Sequence, residues 1–477
     1  MRDVTQRLLD LAHGLGAAYA DVRVETRRVQ VASVKNGAVD ALADETSHGF
    51  GVRVLVGGAW GFASSARLEP AELERVGRLA VAIARASALA QRAPVQLGPP
   101  VRSVGTYRTP LQRDPFAVSL EDKLDLLFRA DAALRAVRGI GVAEASLECQ
   151  RVQKTFASSE GAYVEQDLVE TGGGIEALAV GEQEVQKRSY PNSFGRQQGS
   201  GGYELVEAMD LVGNAPRIAE EAVQLLGARQ CPSEVTTLIL DPTQTALQVH
   251  ESCGHPIELD RVLGMEASYA GTSFLTPDKR GRFRYGSEAV TIVADATVPG
   301  GLGTFGYDDE GVPAQRTVIV DHGRFANYLT SRETAALFGE ASNGTMRADG
   351  WNRIPLIRMT NINLEPGPWR LADLIADTDR GVYMQTNRSW SIDDRRLNFQ
   401  FGTEIAWEIR GGKLGALLKN PTYTGITPVF WNGCDAVCRE WAVWGTPNCG
   451  KGQPSQVAHV GHGAAAARFR DVRIGVL

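Results

Sequence analysis

Residues 248–260 read QVHESCGHPIELD, and within them His250, Glu251 and His255 form the pattern H-E-x-x-x-H. The chain has 7 histidines in 477 residues, so a His-Glu pair followed by a histidine at this spacing arises by chance on the order of 0.006 times. These are the residue types that zinc hydrolysis needs. Neutral imidazoles are good zinc ligands, and two from one short element fix an ion at little entropic cost. A glutamate beside the first ligand can face a metal-bound water and take its proton as general base, the ion having lowered that water's pKa toward ~7.

The spacing differs from the common zinc-protease helix, whose histidines lie four apart. Five residues of α-helix rotate by about 500°, which leaves two side chains roughly 140° apart. His250 and His255 can share an ion only if the helix holds a π-type bulge or unwinds before His255. Gly254 and Pro256 flank His255 and favour a distorted or ending helix. The plainer alternative is a pair of unrelated helix-end histidines.

A hydrolytic zinc needs a third protein ligand and an open fourth position. The candidates are Cys449, Glu258, Cys253, His459 and His462. Cys253 reads better as a packing residue. Glu258 follows His255 by three positions, as in two-His-one-Glu sites. Cys449 lies in PNCGKGQP, a glycine-flanked loop whose exposed thiol could ionise on zinc. The residues alone leave Cys449 and Glu258 nearly even. Two weaker signals stand apart. Cys434 and Cys438 in GCDAVC would share a face of a helix, and with no second pair nearby they read as buried thiols. GGLGTFG (300–306) has no Walker lysine and no dinucleotide fingerprint, and reads as a loop near substrate.

What must position these residues is a large chain. A length of 477 residues exceeds the ~250–300 at which single cores stop growing. With 43% hydrophobic and 22% charged residues, the composition is that of a globular protein. No stretch approaches the ~18 apolar residues of a membrane span. The first residues are amphipathic and carry acids, with no secretory-signal pattern, so a cytoplasmic location is expected. A net charge of −6 with no Lys/Arg block argues against nucleic-acid binding. The 6 cysteines are too few for a disulfide framework in such a chain.

Periodicity predicts helices over 4–15, 70–90 and 119–137, the last opened by Ser119 and Asp122 as a capping pair. Between the first two run alternating segments, ADVRVETRR and VQVASVKNG, the second ending in the hairpin signal Asn36-Gly37. Two short strands then meet at Gly57-Gly58. Residues 93–115 are proline-punctuated and read as a connection. Strand-like runs follow, and then a glycine-rich loop region over 189–204. After an interrupted helical stretch the main boundary is placed near 229–234. The expected class is therefore α+β, with an N-terminal helix and strand-meander domain (1–230). A strand-rich domain (231–477), mixed or barrel-like, carries the distorted metal-binding helix.

Several blocks in order resemble the TldD/PmbA metallopeptidases over almost the whole chain. They are YADVRVETRR, GFGVRVLVGGAWGFAS, HESCGHPIELD, DDEGVPAQRTVIVDHGRFANYL, MTNINLEPG, TEIAWEIRGGKLGALLKNPTYTG and CGKGQP. The resemblance implies zinc held by His250, His255 and Cys449, with Glu251 as the catalytic glutamate. Glu258 and Asp260 become supporting or helix-end groups. The metal positions are all present, which places the chain with the catalytic members and not with the partners that lack them. The resemblance also implies a dimer, either of identical chains or with a related PmbA-type subunit. Its site would face an internal passage, and unfolded or small peptides would be the substrates. His459 and His462 in AHVGHG follow the cysteine closely, either beside the metal or as ordinary surface histidines. The rival function is a non-catalytic peptide-binding or assembly subunit whose zinc is structural, and a third is hydrolysis of non-peptide amides.

Overall fold

Asn36 and Gly37 adopt φ of 49° and 80°, the paired left-handed conformation of a two-residue hairpin turn. They join two very long strands, Tyr19–Lys35 and Ala38–Val56. The segments ADVRVETRR and VQVASVKNG are thus one strand, because no glycine or proline interrupts them. The computed structural model describes residues 1–268 and 271–475. Tyr19–Lys35 is central in an eight-stranded sheet, antiparallel to Ala38–Val56 on one side and to Ile140–Ser158 on the other. Tyr163–Val180 follows Ile140–Ser158 and pairs with it antiparallel.

One strand of 17 residues serves two cores. Ala20, Val22 and Val24 pack in the first, with Leu8 of helix Arg2–Gly14 and Val76 and Ala80 of helix Pro70–Ala88. Ala32 and Val34 pack in the second, with Leu127 of Leu120–Arg135 and Ile218 of Leu211–Gly227. The half-buried polar middle of the strand separates them. Ser119 caps its helix as expected, accepting from the Asp122 backbone N–H.

The proline-rich connection holds an edge strand, Val104–Arg108, parallel to Tyr163–Val180. Its side chains alternate between exposed and half-buried, so it lacks the apolar alternation that marks a strand over a core. The glycine-rich region 189–204 contains the strand Gln197–Ser200, which also pairs with Tyr163–Val180.

In the second half, strands Arg380–Ile392, Glu234–Leu240, Ala467–Ile474, Thr422–Ile426 and Asn398–Arg410 pair in that order. The last pairs back with the first and closes a barrel-like ring. Its core is aromatic, with Phe399, Phe401, Tyr423, Phe430, Trp431 and Phe469 in mutual contact. The α+β class with a barrel-like sheet is as the sequence suggested. Cys434 and Cys438 are buried thiols, but Cys434 lies on strand Cys434–Val437, not on a helix. The chain is committed to the ring there, since Cys434–Val437 pairs with Ala467–Ile474. Among the described residues no helix is long and apolar enough to cross a membrane.

Candidate metal centre

Strand Glu234–Leu240 runs into helix Pro242–Val249, whose start is fixed by Asp241 accepting from the Gln244 N–H and by Pro242 in the first turn. The helix then widens into a π-turn, His250–Gly254, and the His255 N–H donates to the His250 carbonyl at 3.2 Å. The wider turn carries residues five apart to the same side, which an α-helix cannot do. The two rings consequently lie 4.9 Å apart, edge to face. Gly254 permits this packing, because a Cβ there would stand 2.3 Å from the Met359 sulfur.

This element is polar yet buried on nearly all sides. Gln244 and Gln248 hydrogen-bond the Tyr423 hydroxyl at 2.8 and 2.9 Å. Ser252 accepts from the Trp431 indole at 2.9 Å. The aromatic core of the ring thus holds the π-turn by its polar edges as well as by packing.

Cys449 arrives on strand Ala442–Lys451, which pairs with Gln456–Ala464. It is buried on a strand, not exposed on a loop. Its Sγ lies 3.8 Å from His255 Nε2, and the donor atoms of His250, His255 and Cys449 fall within 4.8 Å of one another. Tetrahedral zinc with bonds of ~2.0–2.3 Å requires donor separations of about 3.3–3.6 Å. The set is therefore close to that geometry, and its chemistry of two imidazoles and a thiol fits zinc. Burial would raise the Cys449 thiol, but His255 and Arg358 beside it bring it below its ordinary value. Burial pushes both His250 and His255 below the usual imidazole range, which keeps them neutral.

Each imidazole is oriented from behind. His255 Nδ1 is 3.0 Å from Glu258 Oε2 and donates to it, which leaves Nε2 turned toward Cys449. His250 Nδ1 is 2.8 Å from His462 Nε2, and His462 Nδ1 is 3.2 Å from the Ile362 carbonyl. A carbonyl only accepts, so His462 carries its proton on Nδ1 and takes one from His250 Nδ1–H. The lone pair of His250 is left on Nε2. Burial, with His250 beside it, holds His462 well below the usual range, so it stays neutral.

Glu258 sits among buried charges. Lys451 Nζ reaches both Asp260 oxygens, at 2.7 and 2.8 Å, and lies 3.5 Å from Glu258 Oε1. Arg261 approaches Glu258 Oε2 at 3.4 Å. Burial opposes ionisation of Glu258, but Lys451, His255 and Arg261 together hold it well below the usual carboxylate range. Cys449 and Lys451 lie two apart on one strand and so share a face. Cys253 packs in the hydrophobic core, its thiol pushed up to about 12 by burial.

Glu251 faces the cleft, where Arg396 Nη1 donates to its Oε2 at 2.6 Å. The cleft has a volume of about 570 Å³. His250, His255 and Cys449 line it on one side, and Phe194 and Trp390 on another. Those two rings meet edge to face at 6.2 Å, one from each half of the chain. Gln197 ties the halves together here, bonding the Val443 carbonyl and the Gly445 N–H, both at 3.0 Å.

His459 and His462 do not line the cleft. His459 Nδ1 is 2.5 Å from Glu170 Oε2, across the junction of the two halves. GGLGTFG does not line the cleft, and its Gly303 N–H is bonded to Asn361. Sequence reasoning did not single out Arg396, Phe194, Trp390 or Lys451. The signal for Lys451 was present as C-x-K, but the other three come from separate segments that meet only in three dimensions.

The profile described as the PmbA/TldA metallopeptidase C-terminal domain matches residues 233–475. Those for domain 1 and the central domain of the same family match 20–84 and 113–230. A metalloprotease of Methanothermobacter thermautotrophicus is 31% identical over 96% of this chain and 95% of its own length. A TldD homolog of Haemophilus influenzae is 25% identical over 99% and 96%. Among solved structures, a putative modulator of DNA gyrase from Thermotoga maritima superposes with a TM-score of 0.78 at 19% identity, over 99% of each chain. TldE from Thermococcus kodakarensis gives 0.73 at 17% identity, over 98% and 99%. With its metallopeptidase profiles matched in order along nearly the whole length, the chain belongs to the PmbA/TldD metallopeptidase family.

Proposed function

We propose that this protein is a zinc-dependent peptidase of the TldD type, with His250, His255 and Cys449 as the metal ligands and Glu251 as the general base. The observation that carries this reading is the convergence of the two imidazoles and the thiol within 4.8 Å on the wall of a cleft that also holds a carboxylate. A zinc ion bound there would polarise a peptide carbonyl and acidify a water. Glu251 takes the proton of the attacking water and returns it to the leaving amine. Glu258 and His462 keep the two imidazoles in the tautomers that a metal requires. The thiolate ligand donates more charge than an imidazole, which favours modest turnover.

A cleft of about 570 Å³ is the size of a small-ligand site and suits a few residues of extended peptide, not a folded protein. Residues Gly445–Gly450 present backbone along it, and a bulge between Thr446 and Cys449 takes Pro447 and Asn448 out of the strand ladder. Such an edge supports main-chain recognition by strand addition, with little selection among side chains. We place the protein in the cytoplasm as a dimer, either of two copies or with a related PmbA-type subunit.

The test is Glu251→Gln beside the wild type, with zinc content and cleavage of an unstructured peptide measured on both. The expected outcome is stoichiometric zinc in both and cleavage by the wild type alone. Cleavage by the variant would overturn the role of Glu251. Zinc without cleavage in either protein would favour the structural-zinc, peptide-holding alternative.

A further inference from the structure

Arg396 stands at the tip of the hairpin between Arg380–Ile392 and Asn398–Arg410. The tip is clamped. Asp393 accepts from the Leu397 and Asn398 backbone N–H groups at 2.8 and 3.1 Å, and the Arg396 N–H donates to the Asp393 carbonyl at 2.8 Å. Thr427 holds the Arg396 carbonyl at 2.9 Å. Within this clamp Arg396 has φ of 62°, a left-handed conformation costly to a side chain with a Cβ. The result is a guanidinium aimed at Glu251, its Nε buried without a hydrogen-bond partner among the described residues. An arginine carries five N–H donors in a rigid fork, so one bond to Glu251 leaves this one far from saturated, beside the metal ligands.

Holding Glu251 is an odd task for so strong a cation, since a general base must give up that partner when it is protonated. Charge conservation supplies the rest. As the water oxygen bonds to the carbonyl carbon, the π pair of the C=O moves onto its oxygen and the water's proton passes to Glu251. One negative charge leaves Glu251 and one appears on the carbonyl oxygen, while the guanidinium charge stays fixed. When the C–N bond breaks, the oxygen pair re-forms the carbonyl and Glu251 gives its proton to the amine.

We propose that Arg396 is a catalytic residue that holds Glu251 and donates through its remaining N–H groups to the tetrahedral oxyanion of the substrate. This rests on the peptidase reading above. Removing one preorganised oxyanion donor costs roughly 10²–10³ in rate.

The test is Arg396→Ala, with zinc content and kinetics on an internally quenched decapeptide pool, and with binding of a phosphinic pseudopeptide that mimics the tetrahedral state. Zinc should stay stoichiometric, and kcat should fall by roughly 10²–10³ with KM within a few-fold. Affinity for the phosphinic peptide should fall by a comparable factor, and added guanidinium should restore at least tenfold in rate. A merely structural arginine would not give that rescue. Phosphinic affinity equal to wild type would overturn the proposal. Arg396→Lys keeps the charge and the clamp and should bind the mimic more weakly than wild type; wild-type affinity would overturn the need for a guanidinium. The mimic is measured by binding, so failure of the wild type to cleave peptides would overturn the functional reading and leave this test standing.

Discussion

Lys451→Met is the substitution from which the buried charge cluster has most to lose. In the wild type, Glu258 and Asp260 face Lys451 and Arg261, with Lys451 wholly inaccessible. Two negative charges meet two positive ones in the interior. Methionine fills most of the lysine's volume but leaves the cluster one negative charge in excess. Breaking a buried pair from one side costs about 3–5 kcal/mol, a large part of the ~5–15 kcal/mol that holds a domain folded. The protein can limit that loss by protonating Glu258, and a protonated carboxyl can donate to His255 Nδ1. The imidazole proton then moves to Nε2, the atom proposed to ligate the metal. Zinc affinity should fall by about 10–100-fold although no ligand is touched. Glu258 is depressed in the folded wild type, so its contribution to stability is present above the unfolded value near ~4.3 and is lost as pH falls toward the folded one. The gap between wild type and variant should therefore be widest at pH 7, and the wild type's share of it should fade from about pH 4.3 downward toward the folded value. Urea unfolding of the metal-free proteins across pH, with zinc titration against a chromophoric chelator, measures both effects. Metal-free stability within 1 kcal/mol of wild type, with unchanged zinc affinity, would refute the reasoning. Glu258→Gln, which leaves Lys451 paired to Asp260 and still accepts from His255, should retain zinc.

Three further outcomes are expected. In metal-free protein at pH 7.5, iodoacetamide should label Cys449 first, as its thiol is depressed and faces the cleft, whereas burial raises Cys231 to about 11 and Cys253, Cys434 and Cys438 to about 12. Peptide mapping should find that adduct suppressed by zinc, and equal labelling of Cys434 would contradict the burial argument. His459→Asn removes an imidazole that burial would depress but that Glu170 raises overall. The wild type's advantage, about 1.5–3 kcal/mol for a charged hydrogen bond, should be full below pH 6.5 and fade as pH rises through the folded value, as followed by thermal unfolding at several pH values. Gly254→Ala pushes a Cβ to 2.3 Å from the Met359 sulfur, so it should cost about 1–3 kcal/mol and lower zinc occupancy, read by calorimetry and metal analysis.

How much of this was legible in the sequence depends on how local each feature is. The π-turn was foreseeable because two histidines five apart demand either a wider turn or an unwound end, and Gly254 is the residue that lets the wider turn pack. The hairpin at Asn36-Gly37 was foreseeable from its turn residues alone. Strand length was not. Tyr19–Lys35 crosses from one helix-covered core to another, so its polar middle reads as an interruption when only one core is imagined. Cys449 was left nearly even with Glu258 on residues alone, because one-dimensional spacing cannot show which strand returns to the helix. In three dimensions the two are neither rivals nor independent. Lys451, two residues from Cys449, neutralises Glu258, and Glu258 sets the tautomer of His255. The strand that delivers the thiol thus also delivers the charge that keeps the Nε2 lone pair of the opposite imidazole turned toward it. Mispairing that strand by one residue would remove both at once, so correct register and assembly of the proposed ligand set are the same physical event.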